Sequence, residues 1–117
     1  MVKISKRLTG NLGEKIALVY LWIKGYRPID QNIRGPRAEV DLLCIKGDAL
    51  VLVEVKVRRN KLAAHGAIHP KQLHRLQQQA QAWEGRYGAV STRLDAVLVY
   101  PQWPCVEHIR NVQGTGW

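Results

Sequence analysis

An α/β fold, in which a small mixed β-sheet carries a helix on each face, is the class that the sequence predicts, and three observations predict it. Two segments, residues 11–24 and 71–87, keep the apolar spacing of amphipathic helices. Runs rich in Val, Leu and Ile lie between and after them, bounded by Gly, Pro and Asp. The resulting order of helix, three strands, helix, and one or two strands calls for a sheet covered by helices. With 117 residues, the chain is the size of a single domain that can bury a core without disulfide or metal staples.

In the first helix Leu12, Ile16, Val19, Tyr20 and Ile23 follow i, i+3, i+4 and i+7 spacing. Ala17, Leu18, Leu21 and Trp22 make its other face apolar too, so cover on both sides is expected. Gly25 is a natural stop, and Asn11 to Glu14 fits a capping box at the start. Residues 26–34 contain Pro28 and suit an edge strand. Residues 38–46 and 50–57, joined through Gly47 and Asp48, suit a β-hairpin. A loop with Gly66 and Pro70 follows. The second helix buries Leu73, Leu76, Ala80, Trp83 and Tyr87, turns Gln and Arg outward, and stops at Gly88. Residues 92–100 form another strand, ended by Pro101, and "CVEHIRNV" suits a last edge strand. A basic arm at residues 1–8 and a mobile tail at 113–117 flank these elements. Trp22, Trp83 and Trp103 are expected in the core.

Lys and Arg number 18 against 9 acidic residues, a formal net charge of +9. Such a field attracts polyanions, nucleic acid first among them. The apolar run at residues 16–23 is too short to span a bilayer and is followed by Lys24 and Gly25, so a cytoplasmic protein without membrane insertion is expected. Cys44 and Cys105 are far apart, lack Cys-x-x-Cys spacing, and suit reduced thiols.

The strand "ALVLVEVKV" poses the main chemical question, because it has the composition of a buried strand and yet carries Glu54 and Lys56. Residues two apart in a strand share a face, so Glu54 and Lys56 point together, away from Val53, Val55 and Val57. Across the hairpin Glu39 and Asp41 likewise share a face, and Asp41 converges on the other two if that face is the same one. Two buried carboxylates need positive charge beside them. A hard divalent cation supplies it through oxygen ligands, and a metal with a neighbouring lysine suits phosphodiester hydrolysis. A buried ion pair of Lys56 with Glu54 or Asp41 accounts for the same letters.

Arg58, Arg59 and Lys61 form a basic cluster just beyond, either a phosphate contact or a solvated loop. Glu39 suits a partner for Arg34 or Arg37, and Asp95 a partner for a Lys or Arg at the sheet edge. His65 and His69 lie in a loop with no third ligand in register, so zinc is not expected.

Taken together, "GNLGEKIALVYLWIKGY" and "NIRGPRAEVDLLCIKGDALVLVEVKVR" resemble the YraN family of small bacterial proteins. That family is similar to Holliday-junction resolvases and belongs with the restriction-endonuclease-like PD-(D/E)xK nucleases. The match runs over residues 10–100 and rests on Gly10 to Glu14, Asn32 to Arg34, Glu39-Val40-Asp41-Leu42 and Val53 to Lys56. The resemblance implies a restriction-endonuclease-like core of order α-β-β-β-α-β with a further edge strand allowed. It implies Mg²⁺ or Mn²⁺ held by Asp41, Glu54 and the backbone carbonyl of Val55, with Glu14 as an added carboxylate, and Asp41, Glu54 and Lys56 as catalytic residues. Lys56 would position water. Lys71, Gln72 and Arg75 match a region that contacts substrate or supports the site. The implied activity is cleavage of branched or structured DNA by a protein compatible with a homodimer. The alternative is a non-catalytic nucleic-acid-binding protein that keeps the fold. Ala38 and Val57 depart from the family's usual Gly and Thr.

Overall fold

The hairpin forms the middle of a five-stranded sheet in the computed structural model, which describes residues 12–83, 86–88 and 91–112. In chain order the elements are α1 (Leu12–Ile23), β1 (Arg27–Arg34), β2 (Glu39–Lys46), β3 (Ala49–Val57), α2 (Lys61–Gly66), α3 (Pro70–Trp83), β4 (Ser91–Val99) and β5 (Val106–Ile109). Strand order across the sheet follows chain order. Pairings are antiparallel except β3 with β4, which is parallel. A parallel pair needs a crossover, and the segment carrying α2 and α3 supplies it.

The period of two along β3 sorts the core into two layers. Val51, Val53 and Val55 pack with Leu42, Cys44, Val97 and Val99 against Ala17 and Leu21 of α1. Leu50 and Leu52 pack with Val40, Leu43, Leu94 and Ala96 against Leu73, Leu76, Ala80 and Trp83 of α3. Glu54 and Lys56 continue the Leu50 and Leu52 row, which puts them on the α3 side.

Four sequence expectations change. The expected loop before the second helix contains α2, whose start is capped by Asn60: its side chain accepts the Ala63 N–H at 2.7 Å. The second helix ends at Trp83, and Tyr87 lies in a turn at residues 86–88 with its ring edge-on to Trp83. The first helix is covered on one side only: Leu12, Ile16, Val19, Trp22 and Ile23 are exposed, because α1 is the outermost described layer. Trp103 is also outside the core, in the loop between β4 and β5, whereas Trp83 is buried as expected. The expected arm at 1–8, the tail at 113–117 and Asn11 of the capping box lie outside the described residues.

Gln79 ties α3 to the turn before β2. It is fully buried, and its Oε1 accepts the Arg37 N–H at 2.9 Å and the Ala38 N–H at 3.4 Å. A Cβ on Gly35 would lie 2.2 Å from that same oxygen. The amide cannot retreat without giving up both bonds, so Gly35→Ala is expected to destabilise the fold by about 1–3 kcal/mol, measured by urea unfolding.

Candidate active site

The β2–β3 ladder begins at Lys46 opposite Ala49 and stops at Leu42 opposite Val53. Beyond that point β2 stays with β1, through Val40 opposite Ile33 and Glu39 opposite Arg34. Meanwhile β3 stays with β4 as far as Val57 opposite Val99. The two central strands therefore part at Asp41, and its side chain takes the place of a backbone acceptor: Oδ2 accepts the Val55 N–H at 2.8 Å. A buried N–H must find a partner, so this bond both satisfies β3 and anchors the carboxylate at the fork.

Glu54 stands beside it and is 4% exposed. Its Oε2 accepts from Lys56 Nζ at 2.9 Å and from Gln72 Nε2, on α3, at 2.6 Å. Its Oε1 is buried with no hydrogen-bond partner among the described residues. Burial first, and the neighbouring Glu54 carboxylate second, push the Asp41 pKa up to about 7, against the opposing pull of the Val55 N–H and Lys56. Once Asp41 ionises, a single lysine faces two carboxylates and leaves negative charge uncompensated, and a buried carboxylate oxygen without a donor is costly. An oxygen-seeking divalent cation would relieve both. The donor set of Asp41, Glu54 and the Val55 backbone thus fits Mg²⁺ or Mn²⁺.

The structure brings Asp41, Glu54 and Lys56 together. Glu14 is on α1, which packs over the opposite row of β3, with Gly13 directly against Val57. It lines a groove with Leu12, Val57, Arg58 and Pro101. Among the described residues, no group of three His, Cys, Asp or Glu side chains is placed to hold a metal ion. Arg58 and Arg59 follow β3 and Lys61 opens α2, all three exposed. Lys71 and Arg75 line a shallow groove on α3 with Pro70, His74 and Gln78. Gln72 reaches Glu54 from the buried side of that helix, where it supports the site.

Because the folded chain holds the Asp41 proton above the ordinary carboxylate range, it binds more protons than the unfolded chain from roughly pH 4 to 7, and stability from this group falls as pH rises through that window. In EDTA the thermal midpoint is expected to drop by roughly 5 °C or more between about pH 5 and about pH 7.5. Asp41→Asn keeps an acceptor for Val55 and is expected to remove most of that drop. Added Mn²⁺ is expected to restore the wild-type midpoint at the higher pH.

A second polar cluster lies on the α1 side. Asp95 is fully buried and accepts from Arg93 Nε at 2.9 Å, Arg93 Nη2 at 3.1 Å, the Asn111 N–H at 2.9 Å and His108 Nε2 at 2.7 Å. Burial alone would raise its pKa; the bonds from His108, Arg93 and Asn111 outweigh that and hold it at about 2. The other ring nitrogen of His108 lies 2.7 Å from Lys24 Nζ, and Arg93 Nη2 also donates to the Tyr26 hydroxyl. Arginine is the expected class of partner for Asp95, but the strand is internal, flanked by β3 and β5, and not the sheet edge. His65 is likewise structural: with the Tyr100 hydroxyl it meets Glu107 Oε1, at 2.9 and 2.7 Å, which joins α2 to β5. Cys44 is buried, which pushes its thiol up to about 12, and both cysteines are free.

No described helix is long and apolar enough to cross a membrane. Residues 13–99 match the family described as Uncharacterised protein family UPF0102. A UPF0102 protein of Mesorhizobium japonicum is 39% identical over 106 residues, covering 87% of this chain and 83% of the relative. One from Renibacterium salmoninarum is 40% identical over 110 residues, covering 88% and 93%. One from an Arthrobacter species is 36% identical over 115 residues, covering 92% and 98%. With that extent of match the chain belongs to the UPF0102 family, the YraN-like family that its strand motifs resemble.

Proposed function

We propose that this protein is a metal-dependent nuclease that hydrolyses the backbone of branched or structured DNA. The observation that carries the reading is the fork between β2 and β3, where Asp41 and Glu54 stand side by side with Lys56 and where Glu54 Oε1 is buried without a hydrogen-bond partner among the described residues. Asp41 and Glu54 would hold Mg²⁺ or Mn²⁺ with help from the Val55 carbonyl. When bound, such an ion supplies charge stabilisation at the scissile phosphate and a more acidic water. Lys56, on the same face and already at 2.9 Å from Glu54, orients the attacking water and offsets negative charge gained by the phosphate oxygens. Gln72 fixes the Glu54 rotamer through its 2.6 Å bond. Arg58, Arg59, Lys61, Lys71 and Arg75, exposed on the segments after β3 and on α3, contact phosphates and set the position of the strand without reading sequence.

The experiment is incubation with end-labelled four-way-junction, flapped, single-stranded and duplex DNA in Mn²⁺, in Mg²⁺ and in EDTA. Cleavage of a junction or flap only with divalent metal is expected. The Lys56–Glu54 contact favours a second reading, a DNA-binding module in which the lysine neutralises the acid. It predicts no cleavage of any substrate and binding that weakens with salt whether or not metal is present.

A further inference from the structure

Trp103 is 90% exposed in the loop between β4 and β5, at the end of the sheet where Val57 of β3 pairs with Val99 of β4. An isolated exposed apolar residue is ordinary, but this one is displayed by a loop that is tied down at several points. The Cys105 N–H donates to Gln102 O at 2.6 Å, the Tyr100 N–H donates to Cys105 O at 2.9 Å, and Cys105 Sγ donates to Pro101 O at 3.3 Å. A further tie reaches the basic segment itself: Gln102 Nε2 donates to Arg59 O at 2.9 Å. The Arg58 N–H, in turn, donates to Val99 O at 3.0 Å, joining the ends of β3 and β4. Trp103, Arg58 and Arg59 therefore belong to neighbouring segments joined where the parallel strands end. Arg58 follows Lys56 by two residues, roughly 7 Å along an extended chain.

An exposed flat π-face on a tied loop next to a cationic segment suits one ligand chemistry, a nucleobase with its phosphates. Every base has a π-face, so stacking tolerates any sequence, whereas in continuous duplex those faces are already covered. An apolar protein partner would have to desolvate the neighbouring arginines, which the phosphates of nucleic acid instead complement.

We propose that Trp103 is a stacking platform for an unpaired base, with Arg58 and Arg59 holding its flanking phosphates, so that the site selects DNA carrying an unpaired nucleotide over continuous duplex. This rests on the nuclease reading in one respect only, that nucleic acid is the ligand. The platform preserves the strand's register relative to Asp41, Glu54 and Lys56 without contacting the reacting atoms. Trp103 is thus a positioning and specificity residue.

The test is fluorescence anisotropy with a labelled single-stranded 20-mer and the matching duplex, using the full chain in EDTA so that nothing is cut. Trp103→Ala is expected to weaken single-strand binding roughly 10-fold or more while duplex binding changes by less than about 2-fold, and Trp103→Phe is expected to keep most of the affinity. The salt dependence of single-strand binding should be unchanged by Trp103→Ala and shallower in an Arg58→Ala, Arg59→Ala double variant. Circular dichroism establishes that each variant is folded. Unaltered single-strand binding by folded Trp103→Ala overturns the proposal while leaving the nuclease reading standing, as does an equal loss on duplex. A change in sedimentation with no change in binding also overturns it, and assigns Trp103 to a contact between copies. Wild-type protein that binds neither probe overturns both readings.

Discussion

Glu54→Gln is expected to lower metal-dependent DNA cleavage by roughly 100- to 1000-fold, the scale on which removing one preorganised electrostatic group acts. The substitution keeps the size and the planar shape of the side chain and removes the charge. Glu54 is 4% exposed and accepts from Lys56 and Gln72 through one oxygen, while the other is left without a donor. A glutamine there has no negative charge with which to hold a cation and leaves Lys56 without its partner. Stability should move in another direction from activity: two adjacent buried carboxylates repel each other, so removing one is expected to leave the thermal midpoint in EDTA within a few degrees of wild type or above it. Single-turnover cleavage and thermal unfolding measured on the same preparation separate the two effects. Lost cleavage together with lost folding would make Glu54 a structural residue.

Asp95→Ala is expected to carry the largest stability cost in the chain, about 3–5 kcal/mol, the range for removing one partner of a buried ion pair. Four donors from Arg93, His108 and Asn111 converge on this carboxylate. Without it the Arg93 charge loses its counter-ion and His108 Nε2 loses its acceptor. Its pKa is held at about 2, below the ordinary value of 3.8. The stabilisation is fully present above the ordinary value and is lost as pH falls toward about 2, because only the unfolded chain takes up the proton across that window. Urea unfolding of wild type and Asp95→Ala should therefore differ most near neutral pH and converge in strong acid. Asp95→Asn, which keeps acceptors for some of the donors, should cost less than Asp95→Ala.

Much of this arrangement is legible in the letters because strands and helices have fixed periods. Residue parity alone put Glu54 and Lys56 on one face of β3, and the hairpin through Gly47 and Asp48 left Asp41 to converge on them if its strand presented the same face. The helical spacing likewise located α1 and α3 to within a few residues. What parity does not encode is where a ladder stops. The fork at Leu42 opposite Val53 depends on β2 following β1 and not β3, and only that fork lets Asp41 bond the Val55 N–H. Periodicity also misses α2, six residues long, because so short a helix has barely one turn of pattern; its one local sign was Asn60, a capping residue. Gln79 and Gln72 stand in a run of otherwise solvent-facing glutamines, and nothing local distinguishes the two that turn inward. Asp95, His108 and Tyr26 meet through the sheet and the α1 layer from three separate segments. Exposure of Trp22 and Trp103 follows from what the fold leaves uncovered, which composition does not report.

In the proposed nuclease the carboxylates of Asp41 and Glu54 form one cation site. Crystals soaked in Mn²⁺ and measured at the manganese absorption edge test it most directly. A single anomalous peak between the Asp41 and Glu54 carboxylates, absent from Glu54→Gln crystals treated in the same way, is the predicted result. No peak at that position, with Lys56 still bonded to Glu54 at full Mn²⁺ occupancy elsewhere, would contradict the account.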